Sequence, residues 1–338
     1  MPTLRDVAKV AGVSTATVSA TINQSAYVRP ELQERVRKAI AEIGYHPNGI
    51  ARSLKKRSTQ TLGLIISDIT NPFFTALVRG VEDAANARGY ALILCNTDEH
   101  LEKERAYIRL LRSRRVDGLI MAPAGAPDDY RGLSAEVNTP LVFIDRRIPF
   151  VSADAVIVDN VAGARQVVQY LLQLGHRRIG AITGLPHIST THERIQGYRQ
   201  ALEGAGIALD PTLMPGGNSR LEGGYLAARE LLSGGDRPTA VFATNNLMAI
   251  GLMRAVAERG LRCPEDISVA CFDDFEWASV FRPRLTTVAQ PVYETGLKAA
   301  ELLFARIYGT MTGEPCEVVL SPTLVIRDSC AARPSEGR

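Results

Sequence analysis

Residues 13–23 read VSTATVSATIN, and the stretch 3–56 around them decides how the chain is organised. Ser14 stands where an N-cap would satisfy the first free amides of a helix, and residues 16–23 continue it with Val18 and Ile22 turned inward. Upstream, Thr3 followed three residues later by Asp6 makes a capping pair, and Leu4, Val7, Ala8 and Ala11 recur at helical spacing. Gly12 then offers the left-handed residue on which a helix often stops. Two short helices about a glycine turn form a helix-turn-helix. A third helix is predicted from Pro30, which a first turn tolerates, to Gly44, with Leu32, Val36, Ile40 and Ile43 inside.

The outward face of the second helix presents Thr15, Ala16, Thr17, Ser19 and Ala20. Small polar side chains let a helix lie close to base edges in a major groove. A three-helix bundle that touches no nucleic acid would share this pattern, and charge separates the two readings. Residues 1–56 hold nine Lys and Arg against four Asp and Glu, a net +5, in a chain whose total is only +3, so residues 57–338 sum to −2. Positive charge is concentrated where a polyanion would be met.

LRDVAKVAGVSTATVSATIN (4–23), followed by GYHPNGIARSLKKRSTQTLGLI (44–65), resembles the headpiece, hinge and first strand of the LacI/GalR family of bacterial repressors, in particular its ribose- and purine-repressor-like members. The likeness runs over nearly the whole chain. It implies a DNA-binding headpiece over 1–58 and an effector-binding and dimerisation core over 60–338. Thr15, Ala16 and Ala20 would face bases, while Ser14, Thr17, Ser19 and Asn23 would position the helix or touch phosphates. Ala20 departs from the arginine that many members carry there. Residues 48–56, NGIARSLKK, read alone as either a flexible charged linker or a short helix with Ile50, Ala51 and Leu54 on one side, weak in isolation. By resemblance they are a hinge helix that orders on DNA beside its dimer mate. Leu54 would then wedge into the minor groove, with Arg52 and Lys55 near the backbone.

With 338 residues, two or three domains are expected, and 46% hydrophobic with 22% charged residues is ordinary for a soluble globular protein. Five cysteines without a Cys-x-x-Cys pair fit a reducing compartment. The start, MPTLRDVAKV, has no apolar leader, and no apolar run is long enough for a membrane span, so a cytoplasmic protein is expected.

From Thr61 the pattern changes to short apolar runs alternating with amphipathic helices. LGLIIS, ALILCN, GLIMAP, LVFID and AVIVD form one series, with helices near 74–88, 101–114 and 129–137; RIGAIT, AVFAT and SVACF form a second. Such alternation predicts two α/β lobes with parallel sheets covered on both faces. The resembled fold is the two-lobed, periplasmic-binding-protein-like core, in which the chain crosses between lobes three times. That places about 60–160 and 290–320 in the N-lobe, and about 161–289 and 321–330 in the C-lobe.

Ligands of open α/β sheets bind beyond the carboxyl ends of the strands. Those positions hold Asn71, Phe73 and Phe74; Asp145 and Arg146; Arg194; Asn245; Asp273; and Gln290. Rings that stack on apolar sugar faces, with carboxylates, amides and arginines for hydroxyls, make a polyol site. Each has a plain alternative: helix-start core for the phenylalanines, a surface ion pair for Asp145–Arg146, a helix cap for Asn245, a strand-end turn for Asp273. NPFF, the Asp145–Arg146 pair after a strand, ERIQGY, ATNNLMAIG, FDD and TTVAQP are similar to the family's pocket segments and carry these nine residues over as ligand contacts. Trp277 would either cover the ligand or pack. Asn246 stands where aspartate is common, and Ser219 at a position that can be aromatic, so a purine fits less well than a pentose or hexose. Arg146, Arg147 and Arg194 leave a sugar acid or phosphate open. No leucine heptad follows the core, which favours a homodimer.

No dinucleotide fingerprint, Walker lysine motif, nucleophile elbow or zinc-ligand spacing is present, so neither enzyme, metal nor cofactor is expected. The reading is a repressor whose operator affinity is set by a sugar or sugar derivative. The alternatives are a sugar-binding receptor without DNA function, which gives the basic headpiece no role, and a sugar-converting α/β enzyme, which needs a placed general base.

Overall fold

The computed structural model describes residues 2–45, 58–133 and 137–333. The chain divides into two compact units, Met1–Gln60 and Thr61–Arg338.

The first unit holds α1 (Leu4–Ala11), α2 (Thr15–Asn23) and α3 (Pro30–Ile43). Local chemistry sets each end. Thr3 and Asp6 cap one another, with the Thr3 amide donating to Asp6 Oδ2 at 2.7 Å. Ser14 Oγ accepts from the Thr17 amide at 3.0 Å. Gly12 and Gly44 close α1 and α3 in the left-handed region. Arg35 of α3 reaches back to the α1–α2 turn and donates to the Ala11 carbonyl at 2.7 Å. The core is Val7, Ala8, Ala11, Val18, Val36, Ala39 and Tyr45. Of the four α3 residues expected inside, only Val36 is fully buried; Leu32, Ile40 and Ile43 are half-buried, and Ala39 is enclosed. Three short helices seal only the seam where they meet, and larger side chains flank it.

The second unit contains two sheets. β1 (Thr61–Ile66), β2 (Ala91–Asn96), β3 (Gly118–Met121), β4 (Leu141–Ile144), β5 (Asp154–Val158) and β10 (Glu317–Leu320) form the first, all parallel, in the order β10-β5-β4-β3-β1-β2. β6 (Ile179–Ile182), β7 (Ala240–Ala243), β8 (Ser268–Phe272), β9 (Thr286–Ala289) and β11 (Thr323–Val325) form the second, in the order β11-β9-β8-β7-β6. Here β11 runs antiparallel to β9, at the edge of a sheet that is otherwise parallel. β11 enters this sheet directly from β10 of the other sheet, after a two-residue link.

Period-two alternation gives each sheet two cores. In β1, Leu62, Leu64 and Ile66 pack under α4 (Pro72–Asn86) and α10 (Val292–Ile307), while Ile65 faces α5 (Leu101–Ser113). In β7, Ala240 and Phe242 join α6 (Asn160–Gln173) and α7 (Ser189–Gly204). Val241 and Ala243 face α8 (Leu221–Leu231) and α9 (Asn246–Glu258). Gly80 and Gly296 let α4 and α10 touch backbone to backbone: a Cβ at either would lie 2.2 Å from a carbonyl oxygen of the other helix. The segment 129–137, expected as a helix, contains a 3₁₀ turn, Pro127–Tyr130, and residues 134–136 lie outside the described ones. Among the described residues no helix is long and apolar enough to cross a membrane.

The chain passes between sheets three times: from β5 into α6, from β9 into α10, and from β10 into β11. The carboxyl ends of both sheets line one cleft.

Candidate ligand cleft and nucleic-acid interface

The space in the cleft open to a water-sized sphere is about 50 Å³. Of the nine predicted ligand residues, Asn71, Phe73, Phe74, Asp145, Arg146, Arg194, Asn245 and Asp273 line it, and Gln290 does not. Gln290 bonds to the wall, donating from Nε2 to Asp273 Oδ1 at 2.5 Å.

The N-lobe wall starts at the end of β1. Asn71 caps α4, accepting from the Phe73 amide at 3.0 Å, and the capped turn presents Phe73 and Phe74 edge to face, with ring centres 5.0 Å apart. After β4, Asp145 takes a positive φ of 64°. Arg146 follows and forks onto Glu99, from Nη2 to Oε1 at 2.6 Å and from Nη1 to Oε2 at 2.8 Å, while Nη1 also donates to the Pro123 carbonyl at 2.8 Å. Its Nε lies 3.1 Å from Asp145 Oδ2, yet it is buried without a hydrogen bond of acceptable angle. Burial disfavours the Arg146 charge, but Glu99 and Asp145 outweigh it and hold the guanidinium protonated. Burial pushes the Asp145 carboxyl up against the opposing pull of Arg146 and Arg194.

The C-lobe wall repeats the theme. Asp273 follows β8 with a φ of 70°. Arg194 of α7 donates from Nε to Asn160 Oδ1 at 2.8 Å and from Nη1 to the Thr244 carbonyl at 2.6 Å, with Asp273 Oδ2 3.5 Å away. Its guanidinium carbon sits 3.9 Å from the centre of the Phe272 ring. Asn245 is both wall and cap: its Oδ1 accepts from the Met248 amide at 2.8 Å at the start of α9, and its Nδ2 donates to the Ser219 carbonyl at 3.1 Å.

Two polar links join the walls. Asn246 Nδ2 donates to Asn71 Oδ1 at 2.9 Å, fully buried, and Arg220 pairs with Asp68. The first link accounts for asparagine at 246, because an aspartate there has no proton to donate. Ser219, expected on one wall, also lines the cleft, as do Asp68, Glu99, Thr190, Thr191, Thr244 and Arg220, which are not among the nine predicted residues. Asp68 and Thr244 do follow strands, and that signal was available for them. Trp277 is 55% exposed, meets the Phe275 ring edge-on at 6.3 Å and is not among the residues that line the cleft. His187 and His192 are exposed. Among the described residues no cluster of His, Cys, Asp and Glu could hold a metal ion.

In the headpiece, Ser14, Thr15, Ala16 and Asn23 are exposed, while Thr17, Ser19 and Ala20 are half-buried. The Ser14 and Thr17 hydroxyls bond one another at 2.9 Å, and Asn23 Nδ2 donates to the Ser19 carbonyl at 2.9 Å. Much of the polar capacity of α2 is thus spent within the helix, leaving Thr15 and Ala16 clear at its start. Arg52, Leu54 and Lys55 lie outside the described residues.

Comparison with known proteins agrees with both halves. Residues 3–48 match the family described as bacterial regulatory proteins, lacI family, and residues 59–329 match periplasmic binding proteins and sugar binding domain of LacI family. The HTH-type transcriptional repressor PurR of Vibrio atlanticus is 41% identical over 308 residues, covering 91% of this chain and 92% of the relative. The ribose operon repressor of Haemophilus influenzae is 37% identical over 329 residues, covering 97% and 98%. The crystal structure of the lac repressor dimer bound to operator and the anti-inducer ONPF superposes with a TM-score of 0.87 at 29% identity, covering 98% of this chain and 99% of that one. An N-terminal helix-turn-helix, a two-sheet core with a polar cleft and these full-length relatives make this chain a member of the LacI family of bacterial transcriptional regulators.

Proposed function

We propose that the chain is a dimeric repressor whose operator affinity is set by a neutral sugar held between Asp145–Arg146 and Arg194–Asp273. The charge pairing of the cleft carries the choice of a neutral ligand. Arg146 is taken by Glu99 and Asp145, Arg194 has Asp273 beside it, and Arg220 is paired with Asp68. A sugar acid or phosphate would have to displace a buried carboxylate from its arginine, at a cost of several kcal/mol. Hydroxyls need no such exchange, because they accept from arginines and donate to carboxylate lone pairs that remain open. Phe73 and Phe74 offer an apolar face to a sugar ring, and Ser219 gives a flat base no second ring to stack on.

At the DNA end, Thr15 and Ala16 meet base edges, and the α2 amino terminus with Ser14, Thr17, Ser19 and Asn23 sets its register on phosphates. Ala20 brings a methyl group and no hydrogen bond, so base reading there is apolar. Arg52, Leu54 and Lys55 complete the contact in the minor groove. Sugar binding changes the angle between lobes and with it the ordering of the hinge, a coupling of roughly 1–3 kcal/mol.

The test is a thermal-shift screen with neutral sugars (D-ribose included), sugar acids and sugar phosphates, followed by gel shift on the chain's own upstream region. Neutral sugars are expected to raise the melting temperature and change operator affinity. Asp273→Ala should abolish the shift and leave ligand-free operator binding intact. A response confined to acids or phosphates rejects the ligand class.

A further inference from the structure

Beneath the N-lobe wall lies a buried carboxyl that touches no ligand position. Glu104 of α5 has no exposed surface. Its Oε2 accepts from the Ala124 amide at 2.8 Å, and its Oε1 is buried without a partner. Ala124 follows Pro123, whose carbonyl holds Arg146 Nη1 at 2.8 Å. Glu104 therefore anchors the β3 loop that in turn anchors an arginine of the cleft. Two of the three orphaned buried side-chain atoms among the described residues, Glu104 Oε1 and Arg146 Nε, belong to this chain of contacts.

We infer that Glu104 is a proton-carrying positioning residue: as a neutral acid it keeps the Pro123–Ala124 loop and Arg146 in place, and effector binding is thereby coupled to uptake of one proton. The inference rests on the sugar cleft proposed above, and it concerns a residue outside it. Burial pushes the Glu104 carboxyl up to about 7, so its charge changes near neutrality. The titratable or charged groups that face it are Tyr130 from the 3₁₀ turn, Arg146 beyond β4 and Glu99 before α5. Tyr130 Oη accepts from the Gly125 amide at 2.8 Å, which leaves its own proton to donate towards Glu104. Glu99 is spent on Arg146. On ionisation the carboxylate acquires charge in a dry site with only the Ala124 amide and the Tyr130 hydroxyl to receive it, and Arg146 is the cation within its field. Its pull competes with the Glu99 fork and the Pro123 carbonyl, and the wall loosens. Ligand that needs the ordered wall binds the protonated form, so affinity falls as pH rises through neutrality and binding above it takes up a proton.

The experiment compares the full-length wild type, Glu104→Gln and Glu104→Leu at about pH 5.5 and about pH 8.5, on either side of the Glu104 transition. Without ligand, hydrogen exchange of segments 122–126 and 144–147 is read as the ratio of wild type to Glu104→Gln, which cancels the intrinsic pH dependence. Equal protection at low pH and at least about threefold faster wild-type exchange at high pH is expected. Calorimetry with D-ribose in two buffers of different ionisation enthalpy should show affinity lower by roughly tenfold at high pH with proton uptake. Glu104→Gln should bind D-ribose at both pH values as the wild type does at low pH. Glu104→Leu, which loses the Ala124 anchor, should resemble the wild type at high pH in both readouts. Identical exchange of wild type and Glu104→Gln at both pH values, or D-ribose binding in the wild type that is independent of pH and buffer, overturns the inference. Failure of D-ribose to bind the wild type at either pH counts against the sugar reading instead, and the exchange ratio then decides the role of Glu104 alone.

Discussion

The two walls of the cleft are built to the same plan and finished differently. Each places an aspartate in the left-handed region directly after a strand, Asp145 after β4 and Asp273 after β8, with an arginine beside it. In the C-lobe, Arg194 is held by an amide oxygen, a backbone carbonyl and a ring face, and Gln290 bonds to Asp273. In the N-lobe, Arg146 sits among three acids, Asp145, Glu99 and Glu104, and all three orphaned buried atoms among the described residues lie in this lobe. Arg194 has one acid, Asp273, beside its neutral partners, and a second, Glu193, bears on it through Asn160, so fewer protons act on this wall. A cluster of like charges around one cation makes a wall that responds to any proton gained or lost. Of the two jaws, the N-lobe one gathers more acids around its arginine.

The comparison breaks most easily at Arg194. Arg194→Ala leaves Asn160 Oδ1, the Thr244 carbonyl and Asp273 Oδ2 buried without the arginine that bonds them, and should cost about 3–5 kcal/mol in urea unfolding. A loss under about 1 kcal/mol would show that water replaces the guanidinium. Next is the pH dependence of stability. Glu104 has an ordinary value of 4.5 and is pushed up to about 7 in the folded chain. The native state keeps a proton there that the unfolded chain releases, so stability falls as pH rises from the lower value to the upper and levels off beyond it, by about 3 kcal/mol. Glu104→Gln should flatten that part of the profile; an unchanged profile would assign the titration to another group. Smaller again is the link between the jaws. Asn246→Asp removes the only proton in the contact with Asn71 and should cost about 1–3 kcal/mol, measured by urea unfolding without ligand. Trp277→Ala should do least, shifting stability and D-ribose affinity by no more than about 0.5 kcal/mol. A larger loss of sugar affinity would give the ring a covering role.

How much of this could be read from the sequence follows from the distance over which each feature is determined. The headpiece ends were legible because Thr3–Asp6, Ser14–Thr17 and Gly12 act within four residues of one another. The strands were legible because burial on both faces leaves continuous apolar runs, and the residues after them fall at one edge whatever the loops do. Gln290 also follows a strand, but its amide turns onto Asp273 and away from the cleft, a choice made by a residue 17 positions away. Glu99 and Arg220 were missed because they precede helices, and only the approach of distant loops brings them to the cleft; Arg220 meets Asp68 across 152 residues. Ala39 was missed because a seam that demands a small residue leaves no mark in a count of large ones.

The three passages of the chain between sheets bear on how such a protein can be recombined. The headpiece is one uninterrupted stretch, ending at Gln60 where the second unit begins. Exchanging it for that of a relative takes a single splice, and the sensing half is transferred whole. Neither jaw has that freedom, because each is assembled from separate stretches of sequence, and grafting one requires cuts after β5, β9 and β10 together. New operator specificity is thus within reach of a simple genetic fusion, whereas new ligand specificity must accumulate by substitutions within the cleft.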